Sequence, residues 1–291
     1  MVDTRRLEQL MSPSATADAT PGVPLQPNGA RRALALSGHR DIRKTGQLNP
    51  RSPQRETRIA AQWAKLEKCI SAPGKDKAQT EFNLMARQSE ITSRFDILRT
   101  QLLQAFRSRG LVSLGITGVT TGAGASFVTA GLLASLARRG DVRVIALDLN
   151  LAAPALHRFF DIAPQQSNAS LLAGEVALSD CLQRMTNSVA IAPSQPADGT
   201  DAGLVHSAED LAQLLAQVQS EFATDIILCD LPPLLQGDAA MSLSMALDAV
   251  LLVADSTANS AADITACERR LADQTAFLGV ILNQYQGRIA P

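Results

Sequence analysis

The residues best placed to do chemistry lie in GVTTGAGASF (118–127), which follows the apolar run LVSLGIT (111–117) and opens a helical stretch. A glycine-bearing turn between strand and helix points successive backbone N–H groups at an anion, and the helix start adds its positive dipole end. In the phosphate-loop pattern GxxxxGK(S/T), the lysine reaches the β- and γ-phosphates and the Ser/Thr hydroxyl ligates Mg²⁺. Gly124 and Ser126 occupy the last Gly and the Ser/Thr places. Val119 stands at the first Gly, and Ala125 stands where the lysine belongs. The candidate nucleotide-binding residues are Thr121, Gly122, Ala123, Gly124, Ala125, Ser126 and Phe127, with Ser126 also a candidate metal ligand. On the loop alone, the alternative is a plain β–α turn.

The elements around the loop follow a strand–helix grammar. Strands are expected at 111–117, 142–148, 188–193, 225–230, 249–255 and 277–283, all near-continuous apolar runs of the kind that a parallel sheet buries on both faces. Helices are expected near 126–139, 177–185, 207–222 and 260–274. The fold class is therefore α/β, a doubly wound, mostly parallel sheet with its ligand site at the carboxyl ends of the strands. Upstream, a helix is expected from Glu56 to Ile70, broken by SAPGKDK, and a longer one from about Glu81 to Arg109. Residues 1–55, rich in Pro, Ser, Ala and Arg without periodicity, read as a disordered tail. The division is thus 1–55 tail, 56–80 short helix and linker, and 81–291 the α/β domain.

Bulk properties narrow the function classes. The formal net charge of −1 argues against a general nucleic-acid binder. No run approaches the roughly 20 apolar residues of a membrane span, and the start MVDTRRLEQL lacks a signal-peptide core. The four cysteines, Cys69, Cys181, Cys229 and Cys267, form no CxxC pair, so reduced thiols in a cytoplasmic protein are expected.

Beyond the loop, an ordered set of segments carries a resemblance. VRVIALDLNLAAPALHRFF (142–160) is similar to the second nucleotide motif of the bacterial tyrosine kinases, hhhhDADLRRPxLHRLF. DIILCDLPPLLQGDA (225–239) resembles their Walker B segment, hhhhDTPPhhxxxDA. SLLAGEVALSDCL (170–182) and FLGVILNQ (277–284) also fall where those kinases carry similar segments. From about residue 90 to 285 the chain resembles the polysaccharide-associated bacterial tyrosine kinases, within the P-loop superfamily of partition and division-site ATPases. The resemblance implies Asp148 and Asp230 as metal ligands beside Ser126, Asn283 as a nucleotide contact, and ATP or ADP with Mg²⁺ as ligands. Asp230 before two prolines also suits a turn cap, Asp238 a helix cap, and Asn283 a strand-end turn.

The departures from the family pattern are as informative. Ala125 replaces the lysine, Asn150 the second Asp of the DxD pair, and Ala152 and Ala153 the arginines. No lysine follows Lys77. A charge-assisted bond to phosphate is worth about 1.5–3 kcal/mol, so one loss weakens binding roughly 10- to 100-fold. A lost transition-state donor costs about 10²–10³ in rate. The family's oligomerisation motif, ExxRxxR, falls on Ser93, Asp96 and Arg99, and only Arg99 matches. The one tyrosine, Tyr285, stands in place of a C-terminal tyrosine cluster. The resemblance therefore implies a degenerate kinase homologue whose nearest enzyme class is protein-tyrosine kinase, with nucleotide bound weakly. Its implied partner is a membrane-embedded polysaccharide co-polymerase that sets chain length, at the cytoplasmic side of the inner membrane, with homo-oligomerisation open and no nucleic acid. The alternatives are a slow kinase or ATPase activated in trans and a partition-type positioning ATPase.

Overall fold

The computed structural model describes residues 52–69, 89–197, 207–272 and 274–285. Most of the expected tail, the linker after Cys69 and residues 81–88 of the long helix lie outside them. In chain order the elements are α1 (Pro53–Lys65), β1 (Glu67–Lys68), α2 (Ser89–Arg109), β2 (Ser113–Gly118) and α3 (Ala125–Ala137). Then come β3 (Val144–Asp148), α4 (Leu156–Phe160), α5 (Asn168–Leu172), α6 (Leu178–Cys181), β4 (Gln183–Arg184) and β5 (Val189–Ala192). The chain closes with α7 (Ala208–Phe222), β6 (Ile226–Asp230), α8 (Ala239–Ser244), β7 (Ala249–Asp255), α9 (Ala261–Ala272) and β8 (Ala276–Asn283). All six expected strands form. The helix expected over 177–185 is the short α6 followed by β4, because Gln183 and Arg184 pair with Ile191 and Ala190 across a tight return to β5.

The sheet runs β1-β4-β5-β3-β6-β2-β7-β8 and is parallel throughout except for the β4–β5 pair. Strands β2, β3, β6 and β7 are buried along their whole length, as their unbroken apolar sequences require. One face packs on α2, α3 and α4 through Leu98, Phe106, Val128, Leu132 and Leu156. The other packs on α1, α7 and α9 through Trp63, Leu211, Val218 and Cys267. From the adjacent strands β3 and β6 the chain leaves in opposite directions, toward β5 and toward β7. This switch point is where open α/β sheets gather ligands at their carboxyl ends.

Two packing details fix the helices beside that crevice. Helix α3 is apolar around nearly its whole circumference, so it is sandwiched between the sheet and α2. Phe95 of α2 lies on Gly131 of α3, where a Cβ would come within 2.2 Å of the ring. On the opposite face, Trp63 meets Phe222 edge to face at 5.7 Å between centroids, and its Nε1 donates to the Phe222 carbonyl at 3.0 Å. Arg143 and Glu56 add an ion pair at 2.7 Å, so α1 is part of the core rather than a detached lead.

Candidate functional site

The phosphate loop leaves β2 at Gly118 and enters α3 at Ala125. Gly122 and Gly124 turn it through left-handed conformations, with φ of 82° and 96°. That region is open to glycine at little cost and strains other residues. Because no side chain caps α3, its first amides remain available; Gly122, Gly124, Ala125 and Ser126 donate to no backbone oxygen among the described residues. The geometry is that of an anion cradle at a helix start.

Neighbouring segments brace the loop. Leu234 N–H donates to Gly118 O at 2.8 Å and Leu235 N–H to Val119 O at 3.2 Å, so the segment after β6 runs along its entrance. Thr117 Oγ1 donates to Pro232 O at 2.7 Å. Three side-chain amides hold the rest. Asn259 Nδ2 donates to Thr120 Oγ1 at 2.9 Å, Gln236 Oε1 accepts from the exposed Thr121 hydroxyl, and Asn283 Nδ2 donates to Ala123 O at 3.0 Å. Asn259 is itself aimed by accepting from Asp255 N–H at 2.8 Å.

Asn283 therefore sits beneath the loop. A Cβ on Gly124 would lie 2.1 Å from its Nδ2, which leaves only glycine room there. The amide that the family resemblance assigns to nucleotide contact is, in this structure, bonded to the loop backbone. Phe127 likewise turns its ring away from the cradle, toward Phe95 at 5.8 Å and Phe159 at 6.3 Å. Its backbone, not its ring, belongs to the loop.

The two aspartates meet at the floor of the crevice. Asp148 and Asp230 are register partners at the carboxyl ends of the adjacent parallel strands β3 and β6, and both are fully buried. Asp148 Oδ2 accepts from the Ala155 and Leu156 amides, each at 3.0 Å, and so holds the start of α4. Thr129 Oγ1 donates to Asp230 Oδ1 at 3.4 Å, and the nearby Ser126 hydroxyl also favours the ionised form of Asp230. Asp148 Oδ1 and Asp230 Oδ2 have no partner among the described residues. Burial pushes the Asp148 carboxyl up to about 7, against the opposing pull of the α4 amides. Burial, and then the charge of Asp148, push Asp230 well above the carboxylate range.

Two buried carboxyl groups, each with one unpartnered oxygen, and a serine hydroxyl beside them suit a hard divalent cation. Mg²⁺ takes oxygen ligands and retains several waters, so it needs few protein donors. Among the described residues no group of three or more His, Cys, Asp and Glu could hold a metal by itself. The remaining coordination would thus fall to water or phosphate oxygen. Of the three candidate metal ligands, Asp148 and Asp230 lie side by side in register, and Ser126 is beside Asp230.

Other singled-out residues lie elsewhere. Asp238 occupies the N-cap place of α8, yet its side chain makes no capping bond. Asp96 and Arg99 of α2 bond each other at 2.9 Å and both engage Ser135 of α3. They are committed within the chain. Tyr285 is exposed, just past the end of β8. Sequence reasoning missed Asn259, Gln236 and Asn168. Asn168, fully buried, donates through Nδ2 to the Asp148 and Ala192 carbonyls at 2.9 and 3.0 Å. Only Asn259 left a trace, as an amide four residues past the strand-end Asp255.

Comparison with known proteins fits this geometry. EpsB of Ralstonia solanacearum, assigned as a tyrosine-protein kinase, is 30% identical over 163 residues, 54% of this chain. The match spans 20% of that protein's length. The kinase domain of the Escherichia coli tyrosine kinase ETK superposes with a TM-score of 0.60 at 22% identity, covering 71% of this chain and 83% of that one. The septum site-determining protein MinD of Pyrococcus horikoshii, complexed with Mg-ADP, gives 0.51 at 24% identity, covering 60% and 71%. No protein-family profile matches the chain.

Proposed function

From the fold that this chain has, that of bacterial tyrosine-kinase domains and MinD-like P-loop ATPases, we propose that it is a catalytically weakened kinase homologue. It binds ATP or ADP with Mg²⁺ weakly and transfers little or no phosphate. Its role is to regulate exopolysaccharide chain length or export by docking on the cytoplasmic part of a membrane co-polymerase. The sequence match to EpsB and the fold shared with the ETK kinase domain support the kinase-like reading; the polysaccharide role and the docking partner extend the resemblance read in the sequence.

One observation carries the reading. The cradle and the carboxylate pair are intact as geometry, while the position that should bring a cation to the phosphates is Ala125. Ser126, Asp148 and Asp230 would hold Mg²⁺, and the amides from Gly122 to Ser126 would receive the phosphates. When bound, Mg²⁺ supplies charge neutralisation between phosphate oxygens. The chain's own contribution is to orient the phosphates along α3 and to keep the two carboxylates facing them. Asn150, Ala152 and Ala153 follow Asp148 where the family pattern carries an acid and two arginines, so those three positions give a transferring phosphoryl no charge stabilisation either.

The test is a titration of full-length protein with ATP and ADP, with and without Mg²⁺, alongside a phosphotyrosine assay. Metal-dependent binding without phosphotyrosine is expected. Strong autophosphorylation that disappears in Tyr285→Phe would refute the weakened-kinase reading, and absence of all nucleotide binding would refute the nucleotide reading.

A further inference from the structure

The crevice contains two buried acids and no lysine, so a polyanionic ligand needs positive charge from somewhere else in the chain. Helix α4 is held against the crevice from two sides. Its first amides bond Asp148 Oδ2, and Phe159 packs on Phe127, the residue after Ser126. In this short helix Leu156 is buried and Phe159 half-buried, while Arg158 between them is exposed. The Arg158 guanidinium has no hydrogen bond or ion pair among the described residues. Other arginines near this face of the sheet are engaged: Arg99 and Arg138 on Asp96, Arg139 on Asp141. His157 is kept neutral by burial and by the charge of Arg158, so it is no substitute.

We propose that Arg158 supplies the cation that Ala125 does not, closing over the terminal phosphate of a nucleotide held in the loop. This rests on the nucleotide reading given above and assigns it a residue. Arg158 lies two residues beyond Leu156, whose amide bonds Asp148 Oδ2, so it stands within one turn of helix of the crevice floor. Arginine also suits the task, since its planar fork matches phosphate oxygens in pairs.

The same placement gives a signature that a structural role would not. A cation beside Asp148 attracts a phosphate but repels a metal ion. Arg158→Ala is therefore expected to weaken Mg·ADP binding about 10-fold, the loss of one charge-assisted contact, while Mn²⁺ alone binds as tightly as in the wild type or tighter. Arg158→Lys should recover most of the ADP affinity, and the effect should shrink for AMP. Calorimetry with ADP and AMP and spin-resonance titration with Mn²⁺, on the full chain, read all of these. Equal Mg·ADP affinity in wild type and Arg158→Ala overturns the assignment while leaving nucleotide binding intact. Parallel loss of Mn²⁺ and ADP binding overturns it in favour of a packing role for α4. A wild-type chain that binds no nucleotide removes both the assignment and the reading beneath it.

Discussion

The buried pair Asp148–Asp230 makes stability depend on pH in an unusual direction. Asp148 rises from 3.8 to about 7 on folding, chiefly through burial. Below about pH 4 the carboxyl is protonated in both folded and unfolded chains, and the group costs nothing. Between there and about pH 7 the unfolded chain releases its proton while the folded chain retains it. The folded state then binds more protons, so its stability falls as pH rises, and above about 7 the full penalty is in place. At roughly 1.4 kcal/mol per pH unit, the span from 3.8 to about 7 is worth about 4 kcal/mol. For a domain of this size that corresponds to a drop in Tm of about 10 °C.

The perturbation is Asp148→Asn, and the assay is thermal unfolding from pH 4 to 8 in chelator. Wild type minus variant isolates the carboxyl pair from the remaining acids of the chain, because removing Asp148 also relieves Asp230 of its charge. The difference is expected to be small at pH 4 and to grow in the variant's favour through pH 7. Millimolar Mg²⁺ should raise the wild-type Tm at pH 8 and scarcely at all at pH 5, because the cation competes with the protons on the pair. Parallel pH curves for the two proteins, or equal Mg²⁺ stabilisation at pH 5 and 8, would refute the reasoning.

Four further outcomes follow from substitutions at three positions. Trp63→Ala removes the ring packed on Phe222 and should cost about 3–5 kcal/mol in denaturant unfolding. Trp63→Phe should keep most of the packing and lose the bond to the Phe222 carbonyl. Gly124→Ala places a Cβ against Asn283 and forces alanine to a φ of 96°, so nucleotide binding should vanish in a titration and stability should fall by about 1–3 kcal/mol. Ala125→Lys should strengthen Mg·ATP binding about 10- to 100-fold without phosphotyrosine appearing in an immunoblot, since Asn150 and Ala152 are unchanged.

The sheet was legible because burial on both faces demands uninterrupted apolar runs, and β7 matches its expected run residue for residue. The two-residue strands β1 and β4 were not, since two residues carry no period. Helix α1 was visible as a helix, but its docking was not: the Trp63–Phe222 contact joins residues 159 apart and leaves no local signature. The site divides in the same way. Gly124, Ser126, Asp148 and Asp230 are announced by position, each at the end of a strand or the start of a helix. Asn259, Gln236 and Asn283 act on the loop from segments far along the chain, and only the folded arrangement shows that their amides converge on it.

That convergence bears on what the missing lysine means. In a phosphate loop, lysine attracts the ligand and also neutralises nearby acids. Here the loop's shape is maintained without it, by amide hydrogen bonds from three directions, so the cradle is preorganised before any ligand arrives. The acids are not maintained so cheaply. Burying a charge is costly unless it is paired and hydrogen-bonded, and neither Asp148 Oδ1 nor Asp230 Oδ2 has a partner among the described residues. A cation at this floor would offset their burial, and the free energy so gained would be largest where both carboxylates are ionised. The lost charge at position 125 therefore shifts the site's dependence toward the metal most strongly at a pH where the two carboxyls are ionised, since phosphates entering beside them would then be repelled unless a cation came with them.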